Sequence, residues 1–240
     1  MRLSVVPGIV VAAVSLPASA AIFSFPSDAD HTSWTFTGVG ASVADAADPF
    51  DPQVLLIDDD NGPMPPHLLG VEFDADFELS YLGSLPFVAG KFTHTYVLNG
   101  SFVFSDPVSG APILSCVVRD GLFSTVGNGG LKPPTWDSTA TIQASDDYGI
   151  VIYTWHGPDD PAYGLFTGQS IDIDTAAFTL TVLRTEFGAG VALDDRTFLP
   201  LHRWYSEGSY SGSAYFVPSP GALALAGMGL LVAGRRRRCG

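Results

Sequence analysis

The stretch VEFDADFELSY, residues 71–81, decides the fold. Val71, Phe73, Ala75, Phe77, Leu79 and Tyr81 alternate with Glu72, Asp74, Asp76, Glu78 and Ser80. Successive side chains of a strand point to opposite faces, so the first set shares one face and the second set the other. The stretch reads as a half-buried strand with an apolar face on a core and an acidic face in water.

The same reading extends in both directions. Further strands are expected over residues 34–39, 54–57, 91–98, 101–104, 113–118, 122–126, 139–143, 149–155, 177–184 and 209–216. Turn residues separate them: Asp60-Asn61-Gly62-Pro63, Ser109-Gly110, Gly127-Asn128-Gly129-Gly130 and Asp146-Asp147-Tyr148-Gly149. Asn99-Gly100, between TYVL and SFVF, predicts a two-residue hairpin, because both central positions of that turn need φ > 0. NGPMPPH and LKPPTW read as surface loops. The 26 Gly and 18 Pro suit turns better than long helices. Many short strands and frequent turns predict an all-β passenger domain over residues 21–216, an antiparallel β-sandwich with the jelly roll as one form of it. The 240 residues suffice for one such core, and no repeat of fixed period or Pro/Ser-rich linker divides them.

Charge is distributed unevenly. The formal net charge is −14, and all 25 acidic residues lie between Asp28 and Glu207. Five of the 11 basic residues are Arg2, Arg235, Arg236, Arg237 and Arg238 at the termini. The passenger keeps Lys91, Arg119, Lys132, Arg184, Arg196 and Arg203. Phosphate contacts need clustered Lys and Arg, so no nucleic-acid partner is expected. Divalent cations or a hydrated matrix suit this balance better.

The N-terminus, MRLSVVPGIVVAAVSLPASAAIF, places one arginine before an apolar run over residues 3–16. Small residues follow at Ala18-Ser19-Ala20, the pattern of a secretory signal peptide over residues 1–20, cut between Ala20 and Ala21. A retained anchor or a short buried segment is the alternative. At the other end, VPSPGALALAGMGLLVAGRRRRCG (217–240) holds an apolar run over residues 221–234. As a helix it spans about 21 Å, short of the roughly 30 Å hydrocarbon core. Arg235–Arg238 supply a stop-transfer, positive-inside signal that places the C-terminus in the cytoplasm.

Val217, Pro218, Ser219, Pro220 and Gly221, followed by a Gly/Ala/Leu-rich run and an Arg cluster, resemble the PEP-CTERM sorting signal. The central position of that motif is commonly Glu, where this chain has Ser219. The resemblance covers residues 217–240 alone. It implies export, transient anchoring by a short transmembrane helix, processing by an exosortase, and a cell rich in exopolysaccharide. It implies nothing about the activity of the passenger.

Candidate sites in the passenger are few. Glu72, Asp74, Asp76 and Glu78 form an acidic row that either faces solvent and discourages aggregation or holds Ca²⁺. Asp58-Asp59-Asp60-Asn61-Gly62 fails the EF-hand register, because with Gly62 sixth the first ligand falls on Ile57. Asp172 and Asp174 admit the same two readings as the row. In TWHGPDDPAYG, Trp155, Asp159, Asp160 and Tyr163 form a candidate sugar-binding set, against the alternative that Trp155 ends a core strand and the rest turns. Cys116, in LSCVV, reads as a buried thiol, with a nucleophile or intermolecular disulfide as the alternatives. No catalytic motif is present: GSYSG has Tyr210 where a nucleophile-elbow serine belongs, and no histidine pair has zinc-protease spacing. The expectation is an exported surface or matrix protein with a structural or adhesive role in exopolysaccharide. A carbohydrate-binding module, Ca²⁺-assisted or not, is the second reading, and a glycan hydrolase the third.

Overall fold

The computed structural model describes residues 19–25, 35–45, 53–59, 65–145, 147–160, 163, 165–172 and 175–216. Among them the chain forms fifteen strands and no helix. In order these are β1 (Ser19–Phe25), β2 (Thr35–Gly38), β3 (Ser42–Asp45), β4 (Gln53–Asp59) and β5 (His67–Val88). Next come β6 (Lys91–Ser105), β7 (Pro112–Asn128), β8 (Thr135–Trp136), β9 (Ala140–Ser145) and β10 (Ile150–Trp155). The last are β11 (Ser170–Asp172), β12 (Thr175–Thr185), β13 (Gly188–Ala189), β14 (Val191–Ala192) and β15 (Trp204–Phe216). Val71–Tyr81 lies inside β5, where burial alternates with the apolar pattern. The acidic face carries no core atoms because every even position there points outward.

All pairings are antiparallel, and they close on themselves. β5 pairs with β6, β6 with β7, β7 with β9, β9 with β12, and β12 with β15. From β15 the ladder returns to β5 by two short bridges. β2 and β3 span one half of the gap, and β1 and β4 span the other. β10 and β11 extend the remaining edge of β7. The sandwich expectation foresaw two sheets. Here one thirteen-stranded sheet wraps a common core, and a two-stranded ribbon, β8–β14, lies apart from it. The β5–β6–β7 meander also departs from jelly-roll order. Closure removes most free edges, which is the physical advantage of this arrangement over open sheets.

The core is aromatic. Phe178 meets Phe36, Phe73, Phe77, Phe102 and Tyr210 with ring centroids 5.0–6.1 Å apart. Most of these contacts are edge-on or tilted, as ring quadrupoles prefer. Tyr153 and Tyr210 are buried beside them, their hydroxyls 2.5 Å apart, and Tyr153 Oη donates to the Thr175 carbonyl. A second cluster joins Tyr96, Phe123, Trp136 and Trp204.

Asn99-Gly100 is not a turn. Both residues lie within β6, which continues unbroken from Lys91 to Ser105. On the β7 side the register slips between Leu98 and Gly100, and Asn99 Oδ1 accepts the Asp120 N–H at 2.9 Å. The extra residue is in β7, where Arg119 and Asp120 (φ 55°) stand opposite Asn99 alone, so the dipeptide faces a β-bulge and pairs regularly with β5 on its other side. Gly100 has φ 152°, and a Cβ there would stand 2.1 Å from the Asp76 carbonyl oxygen. Glycine is required by the neighbouring strand, a constraint invisible in a local turn pattern.

Antiparallel register gives the sheet two ends. Turn 106–111, loop 156–169 and the last residue of β15, Phe216, share one end, the tail end, whereas turn 147–149 lies beside the middle of β7. Turns 39–41 and 89–90 and connections 129–139 and 186–203 share the far end.

Candidate functional site

The far end carries a groove of about 720 Å³. β6 begins there with Lys91, β7 ends there with Asn128, and the β8–β14 ribbon and the β12–β13 hairpin form its other walls. Gly190, with φ 81°, lets the chain turn against the ribbon; a Cβ would lie 2.8 Å from the Trp136 carbonyl oxygen. Lys91 Nζ donates to both carboxylate oxygens of Asp137, at 2.7 and 2.8 Å. About a third of each side chain remains exposed, so this ion pair is open to a ligand. Phe187 is 71% exposed, with its ring edge-on to His202 at 4.8 Å. The Phe187 N–H donates to Thr185 Oγ1 and fixes the hairpin tip. The groove thus offers an aromatic face, a carboxylate, an ammonium and hydroxyls within one concavity. Asp137 is the one carboxylate among its described lining residues, whereas glycoside hydrolysis needs two.

Basic residues concentrate around it. Lys91, Lys132, Arg184, Arg196 and Arg203 all belong to the far end, beside Asp137, Glu186, Asp194 and Asp195. The described turns and loops of the tail end carry Asp106, Asp159 and Asp160 and no Lys or Arg. The far end is close to neutral, and the tail end is acidic.

The predicted sugar-binding set takes other roles. Trp155 is 2% and Tyr163 is 5% exposed, so neither ring presents a face for stacking. Trp155 Nε1 donates to the Pro158 carbonyl, and Tyr163 Oη donates to the Pro65 carbonyl. Asp159 accepts the Thr167 N–H, and Asp160 lies 3.3 Å from His67 Nδ1. These residues close the loop over the tail end of the core. The reason is local: TWHGPDD brings the indole back onto its own turn, a packing that composition does not reveal.

Glu72, Asp74, Asp76 and Glu78 all point outward from β5. Same-face neighbours on a strand stand about 7 Å apart, so a Ca²⁺ held by two of them would need further oxygen ligands from elsewhere. Among the described residues no three His, Cys, Asp or Glu side chains gather as metal ligands. Asp60, Asp174, Ala18, the motif Val217–Gly221 and Arg235–Arg238 lie outside the described residues. Ala20 and Ala21 lie in β1, paired with Tyr215 and Ala214. Cys116 is buried in the core, and burial pushes its thiol well above the usual range.

A buried polar chain crosses the far end. His94 is fully buried, and its Nε2 lies 2.8 Å from the Asn128 carbonyl oxygen, which can accept only. Nε2 therefore carries the proton, and Nδ1 accepts from Ser84 Oγ at 2.6 Å. The Tyr81 hydroxyl then donates to Ser84 at 2.7 Å. The order resembles a nucleophile with its base, but a fully buried imidazole gives a substrate no access. Its role is to tie β5, β6 and β7 together.

The groove residues escaped the sequence reading because they are scattered over 111 positions' span between Lys91 and His202. The available signal was FGAG at 187–190, an aromatic residue beside two turn glycines. No family model matches this chain, and no curated protein or solved structure is similar to it. Among the described residues no helix is long and apolar enough to cross a membrane.

Proposed function

We propose that this is an exported protein of the cell surface or extracellular matrix. Residues 217–240 anchor it transiently in the membrane for exosortase-type processing. Its role is structural or adhesive, within exopolysaccharide. The observation that carries this reading is the pairing of β1 with β15. Ser19 pairs with Phe216 and Ala21 with Ala214, so the expected signal cut and the start of the sorting tail lie side by side. Cutting after Ala20 leaves Ala21–Ser24 paired with Leu56–Asp59, and trimming beyond residue 216 removes no strand. Both processing events are compatible with an intact core. In this reading the closed sheet is flattened, its two facing layers equivalent to a sandwich joined at both margins.

The test is the intact mass of the protein from its native host, measured separately on membrane and matrix fractions. Loss of residues 1–20, together with everything beyond 217–221, is the expected result in the matrix. A mass retaining 221–240, found in membranes alone, would sink the sorting reading. The carbohydrate-binding alternative gains from one observation, the far-end groove with its exposed Phe187.

A further inference from the structure

We infer that the far-end groove is a binding site for a neutral glycan, presented away from the anchored end. The lining has the chemistry of a sugar site. A pyranose ring has an apolar C–H face and a rim of hydroxyls, so it needs an aromatic surface next to acceptors and donors. Phe187 supplies the surface, since His202 meets its ring edge-on and most of the residue is open to solvent. Asp137 supplies the acceptors. Each of its oxygens takes one bond from Lys91, and a carboxylate has about four acceptor positions, so vicinal hydroxyls find free ones. Asn128 and Ser138 line the same concavity with further polar groups.

The charge in the groove wall is balanced and exerts no net pull on a charged polymer. Lys91, the cation in its wall, is already neutralised by Asp137 at 2.7 Å. Placement in the proposed anchored form also presents the groove outward. β15 runs from Trp204 at the far end to Phe216, where the tail begins. Its 13 residues extend over about 40 Å. A chain held by its C-terminus therefore carries the groove on its distal side.

The inference rests on the proposed surface location for the source of the glycan. Binding is measured on the purified chain, so it and the sorting reading can fail separately. The full chain is run in non-denaturing gels containing neutral glucan, mannan or galactan, or polygalacturonate. Retardation in at least one neutral gel is expected, unchanged when salt is raised. Phe187→Ala, a change at an exposed residue, should weaken retardation about tenfold. Asp137→Asn should weaken it by a similar factor, whereas Glu72→Gln on the outer face of β5 should leave it unchanged. Melting curves confirm that each variant is folded. The inference is overturned by no retardation in any neutral gel, or by full retardation of folded Phe187→Ala. Retardation by polygalacturonate alone, abolished by salt, would equally overturn it and move the ligand to the exposed Lys132 and Arg184.

Discussion

His94 has no exposed surface, and both of its ring nitrogens are engaged. Burial holds its imidazole below the usual range, while the Asn128 and Thr135 backbone and the Asp137 charge act in the opposite direction. The unfolded chain takes up this proton as pH falls through about 6.5, and the folded chain resists until lower pH. The stabilisation is therefore present above that value and is lost as pH falls from it toward the folded pKa. Urea midpoints should decline over that window, and His94→Gln should flatten the decline; parallel slopes in both proteins would refute the assignment. Asp106 and Asp194 act in a separate, more acidic window. Backbone N–H groups of Ser109 and Thr197 hold their carboxyls low, so what they contribute disappears as pH falls below about 4. Cys116 offers a second test at this scale. A thiol in the core and far from its thiolate form should stay unalkylated in the native chain and react in urea. Peptide mass mapping distinguishes it from Cys239, and rapid native labelling of Cys116 would contradict its burial.

β5 outruns β3 on one edge, while β6 pairs with the other edge as far as Val88. β3 pairs with it through Glu78, and among the described residues no strand covers the same edge beyond Leu79. Leu82, Leu85, Phe87 and Val88 are exposed on this projecting piece. An edge of this kind invites pairing with another chain. Two register shifts, at Tyr81/Gly83 and Pro86/Val88, break its regularity, and Pro86 lacks an N–H. The expected outcome of Pro86→Thr is a concentration-dependent increase in particle mass by light scattering. A variant as monodisperse as the parent would show that the bulges suffice without the proline.

At the scale of the molecule, one aromatic core lies inside one closed ladder. Phe178 touches five other rings at its centre, so Phe178→Ala removes contacts that link β2, β5, β6 and β15. The expected cost is about 3–5 kcal/mol, read as a lower denaturant midpoint in a single transition. Two separate transitions would mean that the halves of the closed ladder hold independently.

The strand content, the inward and outward faces of β5 and the acidic exterior were determined by the sequence itself, because period-2 alternation is a local property of the chain. Strand ends were less legible. Residues 91–98 and 101–104 proved to be one strand, as did 113–118 and 122–126, because long neighbouring strands carry the backbone through residues that would otherwise turn. The same effect kept Asn99-Gly100 extended inside β6, opposite a bulge in β7, in place of the expected hairpin. Closure of the sheet was decided by tertiary structure alone, since β15 returns to β5 through short strands such as β3, four residues without a distinctive pattern. The groove was decided there too. Lys91, Asp137, Phe187 and His202 come from four separate segments, and only the register of the ladder brings an ion pair and an exposed ring to the same end. Pairing between distant strands depends on which faces bury together, and that is a property of the whole chain.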